Sequence, residues 1–90
     1  MYDVEISPEA EEDLRKLQRF EPTAFKKAER FIGELMVHPT TGTGHPEPLK
    51  GNRSGQWSRE ITKKHRMVYE IFETKVLVEV ISAYGHYGDK

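Results

Sequence analysis

Apolar residues recur in the first part of the chain with two different periods. Over 2–6 they alternate with polar residues, which predicts a short strand with one apolar face. Ser7 and Pro8 then suit the start of a helix, since a serine side chain can cap the first turn and proline fits the first helical position. Beyond them the apolar spacing becomes three or four, in two groups: Ala10, Leu14 and Leu17, then Phe25, Ala28, Ile32, Leu35 and Met36. The breaker segment "FEPTAF" separates the groups, so we predict two helices, the second over 23–37, that form a hairpin.

The segment "HPTTGTGHPEPLKGNRSG" at 38–55 follows neither period. It contains three prolines and four glycines, which predicts a long connection of the kind that often carries function in small domains. Three stretches rich in β-branched and aromatic residues follow at 56–62, 65–72 and 76–84, joined by short turns, and predict an antiparallel meander. A strand, two helices and a meander together predict an α+β domain, with the helices on one face of the sheet and the other face left available.

The composition is that of one small folded domain, which we place over 1–90. The 90 residues are 36% apolar and 32% charged, enough apolar side chain for one modest core. No cysteine is present, which excludes a disulfide framework, a thiolate metal site and a cysteine nucleophile. The chain has no apolar run of membrane-spanning length, and "MYDVEISPEA" lacks the features of a signal peptide, so we expect a cytoplasmic protein without membrane association.

Charge is distributed unevenly along the chain, although the formal net charge is only −1. Residues 41–66 hold six Lys or Arg against two Asp or Glu, a balance of +4, whereas 1–40 and 67–90 carry −3 and −2. A basic middle segment in an acidic chain suits a local anion site better than a surface for general polyanion binding. A solvated basic loop is the alternative, because charged surface turns are common.

Three ordered motifs in this basic segment resemble one known family. They are "GTGHPEPLK" at 42–50, "SGQWSREIT" at 54–62 and "HRMVY" at 65–69, and a terminal "YGHY" follows at 84–87. Their order and spacing are similar to those of the YoeB branch of the RelE/ParE toxin superfamily, and the resemblance covers the whole chain in element order. It implies a RelE-like fold, in which an N-terminal strand and a helical hairpin pack on a twisted antiparallel β-sheet.

The resemblance further implies the toxin of a type II toxin-antitoxin system, a nuclease that cleaves messenger RNA in the ribosomal A site. In this family the RNA's own 2′-hydroxyl is the attacking group, so no metal or other cofactor is expected. Glu47 matches the family's general base, Arg66 its transition-state arginine and His86 its general acid for the departing 5′-oxygen. Without the motif around it, Glu47 would be interpreted as a loop carboxylate paired with Lys50.

Other residues match family positions that contact RNA. Lys50 and Arg59 match basic positions that contact or steer phosphates, and Tyr87 matches an aromatic residue that stacks on a base or helps to hold the phosphate. Lys63 and Lys64 lie in a predicted turn, where binding of ribosomal RNA is a further expectation. Each basic residue taken alone also fits a solvated surface charge.

The sequence departs from the family pattern at its end. An extra glycine precedes His86 and three residues follow Tyr87, so His45 and His65 are kept as alternative general acids. Trp57 fits an RNA-stacking group, but a lone tryptophan in a strand is more often a core or dimer contact.

Two other functions stay open. A ParE-like chain would be a non-enzymatic toxin that inhibits a protein such as DNA gyrase, but such chains typically lack the carboxylate and histidine set, so "PEPLK" and "GHY" favour the nuclease. A degenerate binding module without toxicity is the third possibility. The partners implied by the resemblance are a YefM-like antitoxin, whose extended segment would dock on the site face, the bacterial ribosome with its messenger RNA, and a second copy in a homodimer.

Overall fold

The computed structural model describes residues 1–53 and 55–85, and the predicted site residues His86 and Tyr87 lie outside this part of the chain. The elements in the described residues are β1 (Asp3–Ile6), α1 (Pro8–Phe20), α2 (Pro22–Leu35), β2 (Glu47–Pro48), β3 (Gln56–Glu60), β4 (Arg66–Phe72) and β5 (Leu77–Ser82). Short 3-10 turns are present at Gly51–Arg53 and Glu73–Lys75. Within 1–53 and 55–85, neither helix combines the length and apolar character that crossing a membrane requires.

All five strands form one sheet in the order β1-β5-β4-β3-β2. The pairs from β2 to β5 are antiparallel, as predicted for the meander, whereas β1 lies parallel to β5 and places Asp3 opposite Leu77. The sheet is therefore mixed rather than wholly antiparallel, and β2 forms inside a segment predicted as a connection. Alternating residues look the same in either strand direction, so the pattern at 2–6 could not have shown that β1 is parallel. The α+β class is confirmed.

The core lies between the helical hairpin and one face of the sheet. It contains these fully or nearly fully buried residues: Ala10, Leu17, Ala24, Ala28, Phe31, Leu35, Ile61, Met67, Tyr69, Val78, Val80 and Ala83. The prediction that Met36 faces inward is wrong: it lies just past the end of α2 and is 38% exposed. Ala24 and Phe31 take inward positions that the predicted stripe omitted, because the buried face of α2 is formed by Ala24, Ala28, Phe31 and Leu35.

Helix α1 is attached to β5 through two polar contacts. The predicted cap at Ser7 is confirmed, since its hydroxyl accepts the Ala10 N–H at 3.0 Å, and it also donates to the Ile81 carbonyl at 2.8 Å. One turn further, the buried carboxylate of Asp13 accepts the Ala83 N–H at 2.9 Å. These bonds hold the end of β5, from which the chain continues toward the N-terminal end of β4.

Candidate active site on the outer sheet face

The site lies on the outer face, which is the face of the sheet turned away from the helices. Met67 and Tyr69 of β4 belong to the core, so Arg66, which alternates with them, projects to the outer face. The strand register places the neighbours of Arg66 on this face as well. Glu47 lies opposite Ser58 across β2 and β3, and Glu60 lies opposite Arg66 across β3 and β4. Residues distant in sequence therefore meet on three adjacent strands.

Arg66 and Glu47 form a direct ion pair. A guanidinium nitrogen of Arg66 donates to Glu47 Oε1 at 2.7 Å, and its Nε and the same terminal nitrogen both lie 3.3 Å from Ser58 Oγ. The second terminal nitrogen of Arg66 is 3.9 Å from Glu60 Oε1. The Arg66 side chain is only 12% exposed, whereas that of Glu47 is 52% exposed. The cation is thus held in one orientation while the carboxylate remains accessible to a ligand.

This arrangement corrects the interpretation of Glu47 as a partner of Lys50, while its role as general base stays a prediction. Its carboxylate pairs with Arg66 across the sheet, whereas the alternative reading paired it with Lys50. A planar guanidinium can bind two oxygens of a phosphate, and a carboxylate beside it can accept a proton from a neighbouring hydroxyl. The pair therefore offers an anion site next to a base on a rigid sheet.

The three predicted lysines are exposed. Lys50 follows β2, and Lys63 and Lys64 lie in the turn between β3 and β4. No contact of theirs with a phosphate is tested by the structure, so their RNA-binding role stays a prediction. Across 1–53 and 55–85, no group of three or more His, Asp or Glu side chains is arranged to hold a metal ion.

The prediction that Arg59 contacts phosphate is wrong. The Arg59 side chain is 0% exposed and points to the helix side of the sheet, where its guanidinium lies 5.8 Å from the ring centroids of Phe31 and Tyr69. A phosphate cannot reach a fully buried cation. The alternation of Trp57, Arg59 and Ile61 contained a usable signal, because the two flanking residues are apolar and share a face with Arg59.

Arg59 instead holds the loop that leads to β2. Its terminal nitrogens donate to Glu34 Oε1 at 2.5 Å and to the carbonyls of His38, Thr41 and Thr43 at 2.5, 2.8 and 3.3 Å. Its Nε donates to the Tyr69 hydroxyl at 3.2 Å, and that hydroxyl donates to the Pro39 carbonyl at 2.7 Å. These bonds, with those of Glu34 below, are named the Arg59 network. The network fixes 38–44 and therefore the entry of the chain into β2, which carries Glu47.

Two ionisable groups of the Arg59 network are shifted by their surroundings. Burial raises the pKa of the Glu34 carboxyl, but hydrogen bonds from the Thr43 hydroxyl and N–H and from Arg59 outweigh it, so that the pKa of Glu34 lies below its usual value. Burial raises the pKa of the Tyr69 phenol more than the hydrogen bond from Arg59 lowers it. Glu34 is accordingly a charged partner for Arg59, and Tyr69 a neutral donor. Sequence reasoning assigned neither role: Glu34 lies on α2, outside the basic segment, and Tyr69 was noted only as the last residue of "HRMVY".

Gly44 packs the same loop directly against the core. Its φ is +83°, its carbonyl accepts the Glu60 N–H at 2.7 Å, and a Cβ at this position would lie 2.5 Å from Cζ of the buried Phe31 ring. A side chain here would therefore need both a strained backbone and displacement of a core aromatic.

We expect Gly44→Ala to lower the free energy of unfolding by about 2–4 kcal/mol, from left-handed strain plus overpacking. Gly33→Ala is the matched control, because a Cβ on this helical glycine meets no atom within 4 Å. The control should be stabilising by about 0.5–1 kcal/mol, since alanine is a better helix former. Urea denaturation of both variants measures the difference, and a Gly44→Ala protein as stable as wild type would contradict the packing described.

His65 does not fit the role of an alternative general acid. It is 4% exposed, and both ring nitrogens are engaged, Nε2 with Glu21 Oε2 at 2.6 Å and Nδ1 with the Gly85 N–H at 2.8 Å. A departing oxygen cannot reach either nitrogen. His45 is exposed, has φ of +53° and precedes Glu47 by two residues, so it stays an alternative. Trp57 packs partly buried against the core, as its core interpretation predicted.

Comparisons with known proteins by sequence and by structure agree with one another. Residues 6–87 match the family described as the YoeB-like toxin of bacterial type II toxin-antitoxin systems. Toxin YoeB of Mycobacterium bovis is 37% identical over 87 residues, which cover 97% of this chain and 100% of the relative. The structure of the YoeB/ParE toxin from Agrobacterium tumefaciens superposes with a TM-score of 0.87 at 34% identity, covering 94% of this chain and 99% of the other. Staphylococcus aureus YoeB, solved as a dimer and in complex with YefM, gives TM-scores of 0.82 and 0.80 at 30% identity, with at least 96% of each chain covered.

Proposed function

Because the chain belongs to the family of YoeB-like toxins of bacterial type II toxin-antitoxin systems, we propose that it is an endoribonuclease that cleaves messenger RNA in the ribosomal A site. The observation that carries the proposal is the 2.7 Å contact between Arg66 and the half-exposed Glu47 carboxylate. This contact places a phosphate-binding fork beside a proton acceptor, which is what attack of a 2′-hydroxyl on the adjacent phosphate requires.

The chemistry divides into two proton transfers and one displacement. Glu47 takes the proton of the 2′-hydroxyl, the 2′-oxygen bonds to phosphorus, and the bond from phosphorus to the 5′-oxygen breaks. Arg66 stabilises the charge that develops on the phosphorane oxygens. A general acid returns a proton to the departing 5′-oxygen, leaving a 2′,3′-cyclic phosphate and a 5′-hydroxyl. We propose His86 for this acid, with His45 as the alternative, and Tyr87 as a stacking residue beside it.

Binding of the RNA would itself prepare the base. In the absence of RNA one Glu47 oxygen is occupied by Arg66. An incoming phosphate competes for the guanidinium fork, because it offers two oxygens in the geometry that the fork prefers. Glu47 is then released toward the hydroxyl next to the bound phosphate. The reaction proposed here uses no metal ion.

The exposure of Glu47 supports dependence on the ribosome. Its carboxylate lies on a sheet face and is 52% exposed, so we propose that another molecule holds the flexible RNA in the orientation for in-line attack. The ribosomal A site supplies such an orientation. The exposed Lys50, Lys63 and Lys64 are proposed to contact messenger or ribosomal RNA phosphates around the pair.

Two protein partners complete the proposal. The S. aureus relative has been solved with YefM and as a dimer, and we propose a YefM-like antitoxin and a homodimer for this chain as well. An extended antitoxin segment with a carboxylate near Arg66 would compete with RNA for the same cation.

The test is cleavage of a defined messenger RNA by purified protein, with and without programmed bacterial ribosomes, in the presence of EDTA. We expect cuts confined to the A-site codon, only with ribosomes, and unaffected by EDTA. A 2′-deoxy nucleotide placed on the 5′ side of the cut should abolish that cut alone. Cutting of the deoxy substrate would exclude 2′-hydroxyl attack. Growth arrest by a protein that cuts no RNA would exclude the nuclease and direct the search to a target such as gyrase.

A further inference from the structure

His65 is a buried imidazole that the proposed reaction does not use. It directly precedes β4, and its backbone is held by the turn before it, where its carbonyl accepts the Ile61 and Thr62 N–H groups at 2.9 and 3.1 Å. Its ring lies 4.3 Å from the Tyr84 ring, centroid to centroid. The side chain is thus fixed between the turn at 61–64 and the last described residues of the chain.

The contacts of His65 determine its tautomer. The Gly85 N–H can only donate, so Nδ1 must be the nitrogen that accepts it at 2.8 Å. The proton of the neutral ring then lies on Nε2, which donates to Glu21 Oε2 at 2.6 Å. Glu21 stands at the junction of α1 and α2 and makes no side-chain cap for α2. Its contact with His65 therefore orients the ring as in other carboxylate–histidine pairs.

Two consecutive residues, His65 and Arg66, bind the backbone N–H and the carbonyl of Gly85. Its N–H donates to the His65 ring, and its carbonyl accepts the Arg66 N–H at 2.9 Å. The conformation of Gly85, with φ of +80°, is one that glycine adopts without strain. We name Glu21, His65, Gly85 and the Arg66 N–H the C-terminal clamp. The segment that presents the Arg66 guanidinium to Glu47 is therefore the same segment that holds Gly85.

We propose that His65 is a positioning residue, whose Nδ1 holds Gly85 beside Arg66 and so sets the starting point of the segment that begins with His86. This inference rests on the proposed function, in which that segment supplies the general acid. Loss of the Nδ1 contact frees the Gly85 N–H, whereas the side-chain contacts of Arg66 with Glu47 and Ser58 do not involve His65. The rate of the chemical step should then fall, with little change in RNA binding.

Two substitutions separate the two contacts of the ring. In His65→Asn the side-chain carbonyl replaces Nδ1 and can accept the Gly85 N–H, but nothing reaches Glu21. In His65→Gln the amide nitrogen replaces Nε2 and can donate to Glu21, but the Gly85 N–H loses its acceptor. The variants are closely matched in size and polarity, so a difference between them reports on the Gly85 contact.

We expect His65→Gln to lower kcat for A-site cleavage by about 10²-fold with KM nearly unchanged. His65→Asn should lower kcat by only about tenfold. Amide hydrogen exchange by NMR should show Gly85 protected in wild type and in His65→Asn, and unprotected in His65→Gln. Equal kcat losses in both variants, or protection of Gly85 in His65→Gln, would overturn the proposal. Thermal unfolding shows whether each variant is folded.

A third variant covers the case in which His65→Gln does not fold. Glu21→Ala leaves the Gly85 N–H in place but removes the carboxylate that accepts the Nε2 proton and orients the ring, so Gly85 exchange should accelerate and the ring nitrogen shifts should change. Unchanged shifts and exchange would contradict the role given to Glu21. If wild type cuts no RNA, the proposed function fails, and the Gly85 exchange rates alone then decide whether His65 holds the end of the chain.

Discussion

Glu47→Gln is expected to lower kcat for ribosome-dependent cleavage by about 10²–10⁴-fold, because an amide of the same shape cannot take the proton of the 2′-hydroxyl. The fold should tolerate the change. Glu47 is 52% exposed, and an exposed ion pair contributes at most about 1 kcal/mol. Ribosome binding should also persist, since the basic residues remain. The measurement is single-turnover cleavage on programmed ribosomes, with product ends mapped at the A-site codon.

Glu60→Gln is the matched control for this experiment. Its carboxylate projects from the same sheet face, is 40% exposed and lies 3.9 Å from an Arg66 nitrogen, so it differs from Glu47 mainly in its place relative to the bound phosphate. We expect its kcat to stay within a few-fold of wild type, as for a partly screened charge near the site. Near-normal cleavage by Glu47→Gln would remove Glu47 from the role of base. Equal losses in both variants would indicate that the negative charge around Arg66 matters, and proton transfer does not.

Arg59→Met should lower the free energy of unfolding by about 3–5 kcal/mol, since it removes the buried partner of Glu34 and leaves carbonyls of the 38–44 loop without their donor. For a domain of this size such a loss corresponds to a fall in Tm of more than about 12 °C. Chemical denaturation and thermal unfolding both measure it. Any remaining folded protein should bind RNA with the salt dependence of wild type, because a buried cation releases no counterions.

Arg15→Met provides the comparison for the same chemical change at the surface. Arg15 is 64% exposed and pairs with Glu12 within α1, so its replacement should change stability by no more than about 0.5 kcal/mol. A small effect of Arg59→Met, similar to that of Arg15→Met, would show that the Arg59 network does not hold the loop. If the affinity of Arg59→Met for RNA depended less steeply on salt than that of wild type, the prediction that Arg59 contacts a phosphate would be supported, against its burial.

The motifs predicted residues of the candidate site, but not their contacts with one another. "PEPLK" and "HRMVY" singled out Glu47 and Arg66, which the sheet register brings within hydrogen-bonding distance. The same reasoning gave Arg59 the role of a phosphate contact, although it is the most deeply buried cation among the described residues. Charge and motif position do not distinguish a cation on the outer face from one facing the helices. That distinction needs the partner on α2, Glu34, which lies 25 residues away along the chain.

The assignment of His65 as an alternative general acid was wrong for a similar reason. The sequence offered His45 and His65 as fallback acids behind His86, because imidazole near a basic motif has suitable chemistry wherever it stands. Only tertiary contacts showed that both nitrogens of His65 are occupied, by a carboxylate 44 residues before it and an amide 20 residues after it. The same contacts made it a candidate positioning residue.

The sequence by itself determined the order of the helices and most strands, the cap at Ser7 and the α+β class, and its motifs selected Glu47 and Arg66 for the proposed reaction. These features depend on local periodicity and on motifs that are contiguous in the chain. The tertiary structure decided the parallel direction of β1, the short strand that carries Glu47, the burial of Arg59 and the engagement of His65. Each of these depends on which residues distant in sequence come into contact when one sheet face packs on the helices. The local spacing of residues does not specify such pairings.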